Sequence, residues 1–251
     1  MREAAAREAG GAVRERRWRE AWLSDLGGTL APMLDLVLPL QCGGCDAPAT
    51  AWCEACARDL KVRPDEPHLV VPRLDPGVPV LSLGRYAGPR RKAIVALKEH
   101  GRADLQRPLA AALGTAIVQL LTWGVLDAPL TLVPAPTRRS AARRRGGDPV
   151  TRIARAAATP ATATPDPGAG RPLLTVAPVL RFTAFTRDSV GLSPAARQRN
   201  VAGRVRLAAP VTGPVVIVDD IVTTGATAAE SVRVLQTAGI EVVAVLALAH
   251  A

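Results

Sequence analysis

Apolar residues recur along this chain in two alternating patterns from about Leu81 onward. Helical spacing runs through residues 88–100 and 103–124. In the second segment one stripe is formed by Leu105, Leu109, Leu113, Ile117 and Leu120. Short apolar runs at 131–136, 214–220 and 241–249 have the length of buried strands. The alternation predicts an α/β protein with a parallel sheet covered by helices on both faces.

Capping residues and turn residues extend this pattern. Asp148 followed by Pro149 is typical of a helix start, and Gly239 is typical of the end of a helix over 226–238. In residues 175–185 and 204–211, apolar and polar residues alternate enough to predict strands. The low-complexity segment 159–172 predicts a surface loop.

Composition divides the chain into parts. Residues 1–37 predict a charged, loosely ordered tail. Residues 38–62 hold all four cysteines, 63–80 form a proline-rich connector, and the α/β pattern occupies 81–251. The net charge is +10, but 29 of the 32 basic residues are arginine, which reflects codon usage as much as polyanion binding. Direct nucleic-acid binding is therefore not the favoured prediction.

The apolar segments argue against membrane insertion. No apolar run reaches 18 residues, and the first 22 residues mix glutamate with arginine, unlike a secretory signal. We expect no membrane span and a cytoplasmic location.

Two adjacent carboxylates, Asp219 and Asp220, end the most strand-like run of the chain. A hydroxyl-rich turn into a helix follows, and its residues are Thr223, Thr224, Gly225, Ala226 and Thr227. A helix N-terminus with free N–H groups attracts anions, and the hydroxyl groups add donors. Carboxylates beside it would accept hydrogen bonds from sugar hydroxyl groups. The stretch therefore predicts a site for a ribose 5-phosphate group.

Two other interpretations of this stretch are less favoured. One is the Mg²⁺-binding acidic pair of response-regulator receiver domains, and the other is a strand-to-helix turn with threonine caps. The stretch also lacks the pattern of nucleotide P-loops.

The cysteines form two C-x₂-C pairs: Cys42 with Cys45, and Cys53 with Cys56. Two such pairs are typical of a tetrahedral, structural zinc site. Disulfides, an iron–sulfur cluster and a redox pair are the alternatives, of which disulfides conflict with a cytosolic setting.

The stretch "VVIVDDIVTTGAT" (215–227) resembles the phosphoribosyl-pyrophosphate (PRPP) signature of type I phosphoribosyltransferases. With the four-cysteine N-terminus, residues 86–105, 132–155 and 192–203 occur in the order typical of the ComF family of competence-associated, phosphoribosyltransferase-like proteins. The resemblance covers roughly residues 38–251. It differs at residues 145–148, where the aromatic residue and the asparagine of the family's usual "RGFN" are absent.

The resemblance implies a type I phosphoribosyltransferase fold behind a small zinc module. It implies that Asp219 and Asp220 are catalytic, that residues 223–227 hold the 5-phosphate of PRPP, and that Arg138 and Arg139 bind pyrophosphate. Mg²⁺ would accompany PRPP. The activity implied is transfer of phosphoribosyl to a nitrogen acceptor that the sequence does not identify. The alternative is a non-catalytic PRPP-binding partner in DNA uptake or recombination, with single-stranded DNA or proteins of those processes as partners.

The basic run at 138–147, which contains both of these arginines, has two further interpretations. It could be the solvated entry to a helix, or it could contact DNA.

Overall fold

The computed structural model describes residues 40–138, 142–143, 147–162, 173–183 and 201–251. The described residues fall into two compact units: residues 40–42 and 46–51 belong to one, and the other described residues belong to the second. In the second unit the helices are α1 (Glu54–Leu60), α2 (Gly88–Glu99), a 3₁₀ turn (Ala103–Leu105), α3 (Gln106–Thr122), α4 (Pro149–Thr162) and α5 (Ala226–Thr237). The strands are β1 (His68–Leu69), β2 (Val80–Ser82), β3 (Leu130–Pro134), β4 (Leu174–Val176), β5 (Leu180–Phe182), β6 (Val205–Leu207), β7 (Val215–Val222) and β8 (Val242–His250).

The main sheet of the described residues has the strand order β1–β2–β8–β7–β3–β4. Each neighbouring pair is parallel except β1 with β2, which is antiparallel. The strands β5 and β6 form a separate antiparallel pair. The α/β class and the largely parallel sheet are thus confirmed, and the antiparallel edge strand makes the sheet mixed.

Two apolar cores cover the faces of the sheet, and β7 contributes to both. Val216 and Val218 pack in the core that contains α2, α3 and α4. Val215 and Ile217 pack in the core that contains α5 and the β5–β6 pair. This alternation follows from the two-residue period of a strand, and all four side chains are at most 1% exposed.

The structure adds a strand to the connector and corrects two of the local predictions. The connector contains β1, which folds back so that the N–H of Val70 donates to the carbonyl of Val80. The strand predicted over 175–185 is broken at residues 177–179, where Pro178 has no N–H to donate, so β4 and β5 enter different sheets. Helix α4 continues to Thr162, into the segment predicted as a loop. The rest of that segment, residues 163–172, lies outside the described residues, as does the predicted tail.

Candidate functional site

The two adjacent carboxyl groups lie near the end of β7, in the middle of the sheet. This strand runs between β3 and β8 and ends at Val222, just after Asp219 and Asp220. Successive Cβ atoms of a strand point to opposite faces, but the two carboxyl groups remain close enough for the charge of Asp220 to act on Asp219. Both residues are half-buried. The pair therefore lies near the carboxyl end of a central strand, which is where α/β proteins bind ligands.

A lysine from helix α2 joins the acid pair. Nζ of Lys98 lies 2.8 Å from Oδ2 of Asp220, and the two side chains are 27% and 14% exposed. The backbone N–H of Asp220 donates to Oδ1 of Asp219 at 2.8 Å. These three residues, Lys98, Asp219 and Asp220, are called the acid–lysine cluster below. The sequence pattern does not single out Lys98 as a residue of this site.

The two carboxyl groups differ in protonation. Burial raises the pKa of Asp219 from its ordinary value of 3.8 to about 8, and the negative charge of Asp220 raises it as well. The positive charge of Lys98 and the N–H of Asp220 lower that pKa, and the charge of Asp148 raises it. At neutral pH Asp219 is therefore mostly protonated. Because Asp220 is paired with Lys98, the cluster as a whole carries almost no net charge.

The hydroxyl loop, residues 223–227, connects β7 to α5. Thr223 is exposed and Thr227 is half-buried. Thr224 is buried, and its hydroxyl oxygen accepts a hydrogen bond from the N–H of Ala226 at 3.4 Å. Gly225 is the N-cap of α5 and has no side chain with which to cap the first turn. The loop therefore combines threonine hydroxyl groups with a helix N-terminus whose N-cap residue supplies no side-chain hydrogen bond.

A segment of the connector packs directly onto this loop. The N–H of Leu74 donates to the carbonyl of Thr224 at 2.9 Å. A Cβ atom on Gly225 would lie only 2.4 Å from the carbonyl oxygen of Leu74 and 2.8 Å from Cβ of Pro72. Gly225 also has φ +81°, in the left-handed region. Glycine is thus required here by contacts within the chain itself. The sequence pattern does not connect residues 72–74 with the site.

The loop after β3 lies between α4 and the strand β5. Oγ1 of Thr137 donates to Oδ1 of Asp148 at 2.8 Å, and Asp148 also accepts from the N–H groups of Val150 and Thr151 at the start of α4. These bonds confirm Asp148 as the predicted N-cap. The guanidinium carbon of Arg138 lies 6.0 Å from the centroid of the Phe182 ring, at cation–π distance. Arg139, the other arginine predicted to bind pyrophosphate, lies outside the described residues.

In comparisons with known proteins, no protein-family model and no curated protein matches the sequence. None of the helices in the described part of the chain is long and apolar enough to cross a membrane.

The four cysteines come together in a compact cluster. The Sγ atoms of Cys42, Cys45, Cys53 and Cys56 all lie within 4.8 Å of one another. Those of Cys45 and Cys53 are 3.6 Å apart, which is a non-bonded distance. Tetrahedral thiolate ligands at about 2.3 Å from a zinc ion would be about 3.8 Å apart. The cluster therefore fits a four-coordinate structural metal such as zinc.

Local packing explains the residues within the cysteine pairs. Cys53 is the N-cap of α1, and its Sγ accepts from the N–H of Cys56 at 3.5 Å. A Cβ atom on Gly44 would lie 2.6 Å from Sγ of Cys56, so a side chain there would push into the thiolate cluster. Cys42 and Cys56 are each 1% exposed. Burial of two thiol groups inside a ligand set leaves little access for a substrate and favours a structural role.

An apolar groove of about 550 Å³ lies between α1 and α3. Trp52, Leu60 and Pro108 are among the residues that line it, and Glu54 and Arg58 also border it. None of the predicted site residues lines this groove. This groove is therefore separate from the acid–lysine cluster.

Proposed function

We propose that this chain binds PRPP with a type I phosphoribosyltransferase fold and transfers its phosphoribosyl group to a nitrogen acceptor. One observation carries the proposal: the acid pair lies within the last four residues of β7, and the hydroxyl loop leads from the end of that strand into α5. Phosphate-binding and diol-binding groups side by side match the two ends of a ribose 5-phosphate. The similarity of residues 215–227 to the PRPP signature, and the order of the other ComF-like segments, support the same function.

Each part of the site has a role in this proposal. The N–H groups at the start of α5 and the threonine hydroxyl groups bind the 5-phosphate. Asp220 accepts hydrogen bonds from ribose hydroxyl groups, and protonated Asp219 can donate one as well as accept one. Because the acid–lysine cluster is almost neutral, it does not repel the phosphate that binds next to it.

The site is compatible with Mg²⁺ held mainly by PRPP. Magnesium prefers oxygen ligands and keeps several water molecules. Asp220 is engaged by Lys98 and Asp219 is mostly protonated at neutral pH, so the protein offers few charged ligands. The ion supplies charge stabilisation for pyrophosphate as it leaves.

The pyrophosphate contact is assigned to the loop after β3, with Arg138 as its cation. This loop follows a strand next to β7, and the Asp148 that anchors its far end also influences the pKa of Asp219. Both findings support a location beside the acid pair. Because the guanidinium group of Arg138 lies over the Phe182 ring, its orientation is already restricted. This favours a bidentate contact, in which two of its N–H groups bind one phosphate group.

For the cysteine cluster we propose zinc as the metal. Four thiolates are the common ligand set of structural zinc sites, and all four tetrahedral positions are then filled by protein. A cytoplasmic location is part of the same proposal, since reduced thiols persist there.

Titration calorimetry of the wild-type protein tests the proposed function. We expect PRPP to bind more tightly with Mg²⁺ than without it, and more tightly than ribose 5-phosphate. Absence of PRPP binding in the folded protein would contradict the proposal. A screen of bases and amines for pyrophosphate release then separates the two functional classes. Turnover identifies a transferase, whereas binding without turnover favours the PRPP-binding partner in DNA uptake.

A further inference from the structure

Lys98 is positioned to control the charge of the site, although it lies on a helix far from the acid pair in sequence. Helix α2 buries Ile94 and Leu97 in the core, at 1% and 9% exposure. Lys98 follows Leu97 directly and is only 27% exposed, which is a low value for a lysine side chain. Its ammonium group reaches the end of β7 and meets Asp220 at 2.8 Å.

From this geometry we infer that Lys98 is a positioning residue of the ligand site: it holds the carboxylate of Asp220 and cancels its charge, so that the site accepts an anionic sugar phosphate. The inference rests on the proposed function and adds a residue to it.

The charges around the cluster show why this cation matters. The acid pair is adjacent in sequence to the loop proposed to bind phosphate, so a negative charge on the pair acts on the bound anion at close range. Asp148 adds another negative group, since its charge contributes to the raised pKa of Asp219. Without Lys98 the net charge at the end of β7 would be negative. At about 7 Å and an effective dielectric constant near 20, one unit charge changes the binding of an anion on the order of 10- to 100-fold.

The ion pair between Lys98 and Asp220 also fixes the orientation of the Asp220 carboxylate. Asp220 is bound at its carboxylate by Lys98, and its backbone N–H is bound to Asp219. A ribose diol that needs carboxyl oxygens in defined directions finds them already oriented. Loss of the lysine would therefore reduce affinity through both charge and orientation.

The test compares variants of two lysines on the same helix. Lys98→Met should weaken Mg²⁺–PRPP binding about 10- to 100-fold by calorimetry, and Lys98→Arg should retain most of the affinity because it keeps the charge. Lys92→Met removes the same charge from an exposed position on α2 and should leave affinity unchanged. Thermal unfolding of each variant checks the fold. Equal affinity of Lys98→Met and wild type would overturn the inference while leaving PRPP binding intact.

A second measurement does not depend on the ligand. Because the charge of Lys98 lowers the pKa of Asp219, carbon-13 NMR of the Asp219 carboxyl group should show titration at higher pH in Lys98→Met than in wild type. If wild type fails to bind PRPP, the proposed function is wrong, and this titration still decides whether Lys98 sets the charge of the acid pair. An unchanged Asp219 titration would overturn that role.

Discussion

Replacement of Gly225 by alanine tests whether the hydroxyl loop depends on its contact with residues 72–74. The new Cβ atom would lie 2.4 Å from the carbonyl oxygen of Leu74 and 2.8 Å from Cβ of Pro72. Neither atom can rotate away without movement of the backbone or the proline ring. The positive φ costs a non-glycine residue about 1–2 kcal/mol, and overpacking costs about 1–3 kcal/mol. We expect Gly225→Ala to lower the free energy of unfolding by about 2–5 kcal/mol.

Gly239→Ala is the matched control. Gly239 has a similar φ of +74°, but among the described residues no heavy atom lies within 4 Å of its added Cβ. It should therefore lose only the backbone term of about 1–2 kcal/mol. Urea unfolding of both variants and wild type, monitored by circular dichroism, measures the difference. Equal losses for the two alanine variants would refute the claim that residues 72–74 constrain the loop.

Three further predictions concern the charged groups and the cysteines. The raised pKa of Asp219 contributes a loss of stability as pH rises from about 4 to 8, because the unfolded chain releases the Asp219 proton that the folded chain keeps. From pH 5 to pH 8, the free energy of unfolding in urea should fall less for Asp219→Asn than for wild type, and the difference should be up to about 1.4 kcal/mol per pH unit. An equal pH dependence of the two proteins would contradict the assigned pKa. Arg138→Ala should weaken PRPP binding roughly 10- to 100-fold and hardly affect ribose 5-phosphate; equal losses for the two ligands would exclude pyrophosphate contact. Elemental analysis of protein purified without added metal should find about one zinc per chain, which Cys56→Ser reduces; iron with visible absorption, or no metal in folded protein, would overturn the zinc proposal.

The elements that the sequence predicted best are those with strong local patterns. The stripe through Leu109 and Leu113 predicted α3, and the run of β-branched residues from Val215 predicted β7, because burial on one or both faces determines the spacing of apolar residues. The four cysteines were recognised for a similar reason, since both pairs of ligands are close in sequence. Such features do not require knowledge of the tertiary structure.

The features that the sequence did not reveal depend on contacts between distant segments. The Leu74–Thr224 hydrogen bond involves backbone atoms, which carry no sequence signal. Lys98 has the spacing of an ordinary helix residue, and only the packing of α2 beside β7 brings it to Asp220. A lysine on the apolar side of a helix, four residues after Ile94, is a signal that could have indicated a buried partner.

The central claim is that the acid pair binds the ribose of PRPP, and calorimetry of one combined variant tests it most directly. Asp219→Ala/Asp220→Ala removes both carboxyl groups and leaves the hydroxyl loop in place. Lys98→Met is added to this variant so that no unpaired ammonium group attracts the anion and the net charge of the cluster stays as in wild type. Loss of two hydrogen-bonding groups, one of them charged, should then weaken Mg²⁺–PRPP binding at least about 100-fold relative to wild type. Circular dichroism confirms that the variant is folded. Unchanged PRPP affinity in this charge-balanced, folded variant would contradict the account.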